Sequence, residues 1–128
     1  MDYNKFMHQA LSALLEEGEA LQYPLYGTLL EKRRHWFGFF GLTQTHLLIA
    51  LLDWEAQHIA WTSRVPLEIK EVTRRKCIFP GQCIVNIQFH RGNPCKIRFS
   101  EKVQRIERQH TNLTAFVAFL QEAAHERI

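Results

Sequence analysis

Four consecutive basic residues, Lys32, Arg33, Arg34 and His35, followed at once by Trp36, Phe37, Phe39 and Phe40, are the most chemically distinctive stretch of this chain. Cations clustered on adjacent residues can place several charge-assisted hydrogen bonds on one phosphate group. Contiguous charges of this kind support diffuse attraction to anions. The neighbouring aromatics could stack on bases or dip into a membrane interface. Strand alternation instead sends two of them into a core and two outward, and an outward pair suits a partner surface. A second basic group, Arg74, Arg75 and Lys76, reads as a guard on an edge strand.

Other chemistry is thinly represented. Cys77, Cys83 and Cys95 are an odd number without CxxC spacing, which fits reduced thiols and gives no metal set. The seven histidines are dispersed, and no HExxH, GxSxG, P-loop or GxGxxG pattern occurs. With only Asp2 and Asp53 as aspartates, no acid/base pair suggests itself. The expectation is a non-catalytic chain with no cofactor and no metal.

The elements that must position these residues follow from periodicity. Met7, Leu11, Leu14 and Leu15 mark a leading helix within residues 1–17 that Gly18 would end. From residue 19 the apolar pattern shifts to period two, with Leu21, Tyr23, Leu25 and Leu29 expected on one face. Pro24 cannot donate to a ladder, so its strand should meet an edge or a bulge there. Further strands are expected around Trp36–Phe40, over 44–52, 57–62 and 67–78, followed by a hairpin of two strands between Cys83 and Phe99. In these, Cys83, Val85, Ile87 and Phe89, then Cys95, Ile97 and Phe99, alternate cleanly with polar residues on either side of the Arg91–Pro94 turn. Leu113, Phe116, Val117, Leu120 and Ala124 repeat as one helical stripe, giving a capping helix over 111–126 with Thr111 or Asn112 as N-cap.

About seven strands with no crossover helices can only form an antiparallel sheet, and one amphipathic helix can plug such a sheet once it curls. The fold class is therefore mainly β (α+β), a partly open barrel over residues 19–99 capped by a C-terminal helix, with an extra N-terminal helix. At 128 residues, 46% of them apolar, one domain spanning 1–128 is the default. The longest aliphatic run, Leu47–Leu52, is far below the roughly 20 residues that cross a bilayer. Without a signal-peptide pattern, the expected location is cytoplasmic.

Here the chain resembles the pleckstrin-homology-like superfamily, particularly small bacterial PH domains and, more distantly, the GRAM domain. The resemblance is carried over residues 14–122 by "LLEEGE" at Leu14–Glu19, by Gly41, Leu42, Thr43 and Leu47–Ile49, and by Val65, Pro66, Leu67, Ile69 and Val72. It implies an interaction module that binds another protein or itself through a sheet edge or an outward aromatic surface. In lipid-binding relatives the first hairpin turn carries basic residues. The alternative it implies is thus an anionic lipid or phosphorylated ligand held by Lys32, Arg33, Arg34 and His35, with peripheral contact to an anionic membrane. Nucleic acid is the weakest of the three expectations, because a net charge of +3 without a basic tail does not demand it.

Overall fold

The computed structural model describes residues 2–125; Met1 and the expected end of the capping helix at Glu126 lie outside the described residues. Two helices flank seven strands in the order α1 (Tyr3–Ser12), β1 (Gln22–Leu30), β2 (His35–Leu42), β3 (His46–Leu52), β4 (Ile59–Pro66), β5 (Ile69–Lys76), β6 (Gln82–Phe89), β7 (Cys95–Ser100) and α2 (Gln109–His125). All pairings are antiparallel, in the order β4-β3-β2-β1-β7-β6-β5. The sheet is curled and not closed: β4 and β5 are its two free edges. The Arg74–Lys76 group therefore sits on an edge strand.

The concave core is built as parity dictates. Cys83, Val85, Ile87, Ile97 and Phe99 are buried against Leu113, Phe116, Val117 and Leu120 of α2. Its centre is an aromatic chain in which Phe99 stands edge-on to Phe40 at 5.8 Å and to Phe116 at 5.7 Å. Gly27 lies opposite Phe99, and a β-carbon there would come within 2.7 Å of the Phe99 ring. A bare backbone at this position is what lets the ring lie flat on the seam between β1 and β7.

A second core lies on the outer face, where Met7 and Leu11 of α1 cover Phe39, Leu48, Ala50 and Leu52. This explains the unbroken run Leu47–Leu52: odd positions enter the concave core, even positions the outer one, and a strand buried on both faces loses its alternation. The helix begins earlier than its apolar stripe implies, because the Asp2 carboxylate accepts from the Lys5 N–H at 3.0 Å. It also stops earlier, at Ser12. Leu14 and Leu15 follow in tight turns, donating to the carbonyls of Leu11 and Ser12, and reach the outer core without being helical.

The expected irregularity at Pro24 is a bulge. Tyr23 takes a left-handed conformation (φ 52°) and the β1–β2 register shifts between Gln22 and Leu25. The shift moves Leu21 to the outer core while Tyr23, Leu25 and Leu29 keep the concave side. The last helix starts at Gln109, ahead of the expected Thr111 or Asn112 cap. Arg105 and Arg108 adopt positive φ in the segment before it, turning the chain sharply into the helix. Asn112 is inside the first turn and donates from its side chain to the Pro24 carbonyl at 3.2 Å.

Gln109 is buried for a reason that its sequence context hides. The β1–β7 pairing ends at Gly27 and Phe99, and the Gln109 amide continues it. Oε1 accepts from the Tyr26 N–H at 3.1 Å, while Nε2 donates to the carbonyls of Tyr26 at 2.8 Å and Ser100 at 3.1 Å. A different clamp holds the N-terminal segment: Arg64 on β4 donates to both Glu19 oxygens at 2.6 and 3.0 Å and to the Leu14 carbonyl at 2.9 Å.

Two predictions follow from these clamps. Gln109→Ala leaves three backbone groups without their partner and should lower unfolding free energy by about 2–3 kcal/mol in urea titrations. Gln109→Leu, which keeps the bulk, should lose a similar amount, whereas a purely packing role would spare it. The Arg64 hydrogen bonds, helped by the Glu16 N–H, hold the Glu19 carboxyl at about 2 against an ordinary 4.5. The pair's contribution is therefore complete above about 4.5 and is lost as pH falls through about 2. Over that window the Glu19→Gln variant should show a flatter decline in melting temperature than the parent chain.

Candidate functional site

The basic turn connects β1 to β2 and is closed by the Glu31 N–H donating to the Arg34 carbonyl at 3.2 Å. Lys32, Arg33, Arg34 and His35 are all exposed, and among the described residues none of them is in an ion pair. They are not equivalent. The Arg34 guanidinium lies over the Trp36 ring at 3.6 Å and faces the Trp54 ring at 5.6 Å, so it bridges two indoles while Lys32 and Arg33 point into solvent.

Trp54 comes from the β3–β4 turn and is 88% exposed. With Arg34, His35, Trp36, Phe37 and Asp53 it borders a small cleft of about 180 Å³. The Asp53 carboxylate accepts from the Gln57 and His58 N–H groups at 2.9 and 3.2 Å, and the His58 ring lies 3.2 Å away. Those bonds, that from Gln57 foremost, hold its carboxyl below the usual range. An ionised acid thus shares the cleft with Arg34, which weakens the pull on a phosphate group.

The four aromatics divide by strand parity. Trp36 and Phe40 face the concave core, Trp36 half-buried at its rim and Phe40 fully enclosed. Phe37 and Phe39 face outward, but α1 lies over Phe39, with Phe6 edge-on to it at 5.3 Å. Phe39 and Phe40 have no exposed surface, so neither can touch a partner in this conformation. Phe37, 52% exposed, is the outward ring that remains, stacked on Tyr26 with a 12° angle between planes.

A further concavity has no signature in the spacing of residues along the chain. A groove of about 610 Å³ runs between Lys70, Glu71 and Val72 at the start of the β5 edge and Gln121, Ala124 and His125 at the end of α2, with His90 at its side. Among the described residues the β5 edge beside it bonds to no further strand. The signal available was the mixed composition of Ile69–Lys76, whose odd mixture of β-branched and charged residues marks an edge. The thiols are no more inviting to chemistry than their spacing implied. Burial pushes Cys95 up to about 12 and raises Cys83 as well, so both are protonated hydrophobes.

No family model matches the chain, and no curated protein matches its sequence. Solved structures do match its shape. The pleckstrin homology domain from Shewanella amazonensis SB2B superposes with a TM-score of 0.57 at 12% identity, over 94% of this chain and 87% of that one. The fold is pleckstrin-homology-like. The hSac2 domain from the human phosphoinositide phosphatase Sac2 gives 0.62 at 12% identity, covering 97% of this chain and 82% of that domain. The C-terminal domain of an unknown protein from Leishmania infantum gives 0.63 at 13% identity, covering 92% and 97%. At such identities the likeness is one of PH-like backbone architecture, and the side chains of the cleft and the groove are this chain's own.

The stacking of Arg34 makes a measurable prediction. Arg34→Ala should increase acrylamide quenching of the tryptophan emission, since Trp36 and Trp54 lose their shared cover. The unfolding free energy should change by less than about 1 kcal/mol, as for an exposed cation–π pair.

Proposed function

We propose that this chain is a non-catalytic PH-like interaction module that takes up an extended peptide segment of a partner protein along the free edge of β5, against α2. The observation that carries the reading is the groove between that edge and the last turns of α2. An edge strand presents unpaired N–H and C=O groups, and main-chain pairing with an added strand supplies affinity that any sequence can contribute. Side chains then supply selectivity. Val72 and Ala124 offer a short apolar seat, with Glu71, Lys70 and Gln121 around it as polar groups for alternate positions of a peptide.

The second reading is capture of an anionic lipid or phosphorylated ligand by the basic turn. Lys32 and Arg33 stand unpaired among the described residues, which favours it. Two observations weigh against it: Arg34 is engaged with the tryptophans, and Asp53 is ionised in the same cleft.

Peptides selected from a displayed random library should, when added to the isotope-labelled chain, shift the backbone amides of β5 and of the last turns of α2. Ala124→Arg, which fills the groove from an accessible helix position, should weaken them about tenfold or more. Selected peptides that shift the β1–β2 turn instead, or that bind the Ala124→Arg variant unchanged, would exclude this groove as the site.

A further inference from the structure

The far end of β5 carries a second surface of a different kind. Ile78 and Phe79, at the tip of the β5–β6 hairpin, are 97% and 70% exposed. Most exposed apolar residues are scattered singly, whereas these two are adjacent and form the apex of a protruding turn with Pro80. The turn is held in place. The Cys77 N–H donates to the Gln82 carbonyl at 3.0 Å, and the Glu101 N–H donates to the Gly81 carbonyl at 2.7 Å. Gly81 sits at φ +78°, the left-handed region that lets the chain reverse there. The tip is bonded at its base and along its side, and its two apolar side chains face outward.

Cations stand immediately behind the apex. Residues 74–82 and 100–102 contain Arg74, Arg75, Lys76 and Lys102 against one carboxylate, Glu101. Glu101 is paired with Arg74 at 3.8 Å, and Arg75, Lys76 and Lys102 are exposed without an ion pair among the described residues. The order from the apex inward is thus apolar first and basic second.

We propose that the β5–β6 hairpin tip is a shallow anchor that seats the chain on an anionic lipid bilayer, Ile78 and Phe79 entering the acyl boundary and Arg75, Lys76 and Lys102 meeting the headgroups. That layering matches the interface, where apolar side chains insert by several ångströms and cations are drawn to the negative surface. A protein partner fits less well. Two side chains cover on the order of a few hundred Å², well short of the roughly 1,200 Å² from which stable protein interfaces begin. The surface is separate from both the basic β1–β2 turn and the β5–α2 groove, the latter lying at the opposite end of β5.

The test is co-sedimentation of the full chain with vesicles of phosphatidylcholine alone and of phosphatidylcholine mixed with phosphatidylserine. Binding is expected to the mixed vesicles and to weaken with added salt. The double variant Ile78→Ser, Phe79→Ser should lose about tenfold or more of it, with an unchanged melting temperature because both residues are exposed. Phe79→Trp should add a blue-shifted emission component on the same vesicles. Replacing Lys32, Arg33 and Arg34 with alanine should leave binding in place, as should Ala124→Arg, so failure here and failure of the peptide groove are separately visible. The proposal is overturned if the mixed vesicles leave the chain in the supernatant, or if the double serine variant binds them as the parent does. A concentration-dependent dimer that disappears in that variant, without vesicle binding, would overturn it in favour of self-contact.

Discussion

The curled sheet consists of a four-stranded ladder and a three-stranded ladder meeting along β1 and β7, and that seam is short. Three residue pairs join the two strands, from Gly27 with Phe99 to Leu29 with Ile97. Where the strands diverge, the Gln109 amide stands in for the missing residue of the ladder, giving and accepting the bonds a backbone would. The same side chain begins α2, so the junction of the two ladders and the start of the docked helix share one residue. Phe116 then falls onto Phe99, which rests on Phe40, and the concave core is filled from helix to far ladder through three rings. The depth of the groove at the β5 edge depends on this, because α2 is the groove's second wall.

How much of this could be read from residue types depended on how many faces of each element are covered. β6 and β7 have one buried face, so their alternation survives and both strands stand where parity puts them. β3 has two, and its alternation is erased: a run such as Leu47–Leu52 identifies burial but says nothing of what lies on either side. The amphipathic stripe of the first helix shows that it docks without showing where. Its landing on Phe39 is a tertiary fact, and it is what divides the outward aromatic pair into one covered ring and one open ring. Pro24 was informative because a missing N–H has few solutions inside a sheet. Gln109 was not, since a polar residue beside a polar linker reads as solvent-facing unless its backbone partners are known.

The candidate surfaces show a similar division. A basic turn is conspicuous in sequence, yet its meaning changes once Arg34 is found lying on Trp36 and Asp53 is found ionised beside it. The β5–α2 groove joins residues some fifty positions apart and has no local signature. Ile78 and Phe79 were visible as letters, but a strand end followed by Pro80 and Gly81 reads as ordinary turn chemistry until the exposure of both side chains is known. Surfaces defined by what is left uncovered are harder to read than cores, since uncovering is a property of the whole assembly.

The N-terminal segment is fastened at both ends. Tyr3 donates its hydroxyl to the Ala56 carbonyl at 2.9 Å, and Arg64 grips the Leu14 carbonyl and Glu19. Between these points Met7 and Leu11 are wholly enclosed. A leading helix would ordinarily fray first, with amide protons exchanging at little cost. Here release of either end alone leaves the other holding the helix over β3, so the amides on its Met7 and Leu11 side are expected to exchange with those of the strand beneath, while Lys5, His8 and Gln9 keep its outer side in solvent.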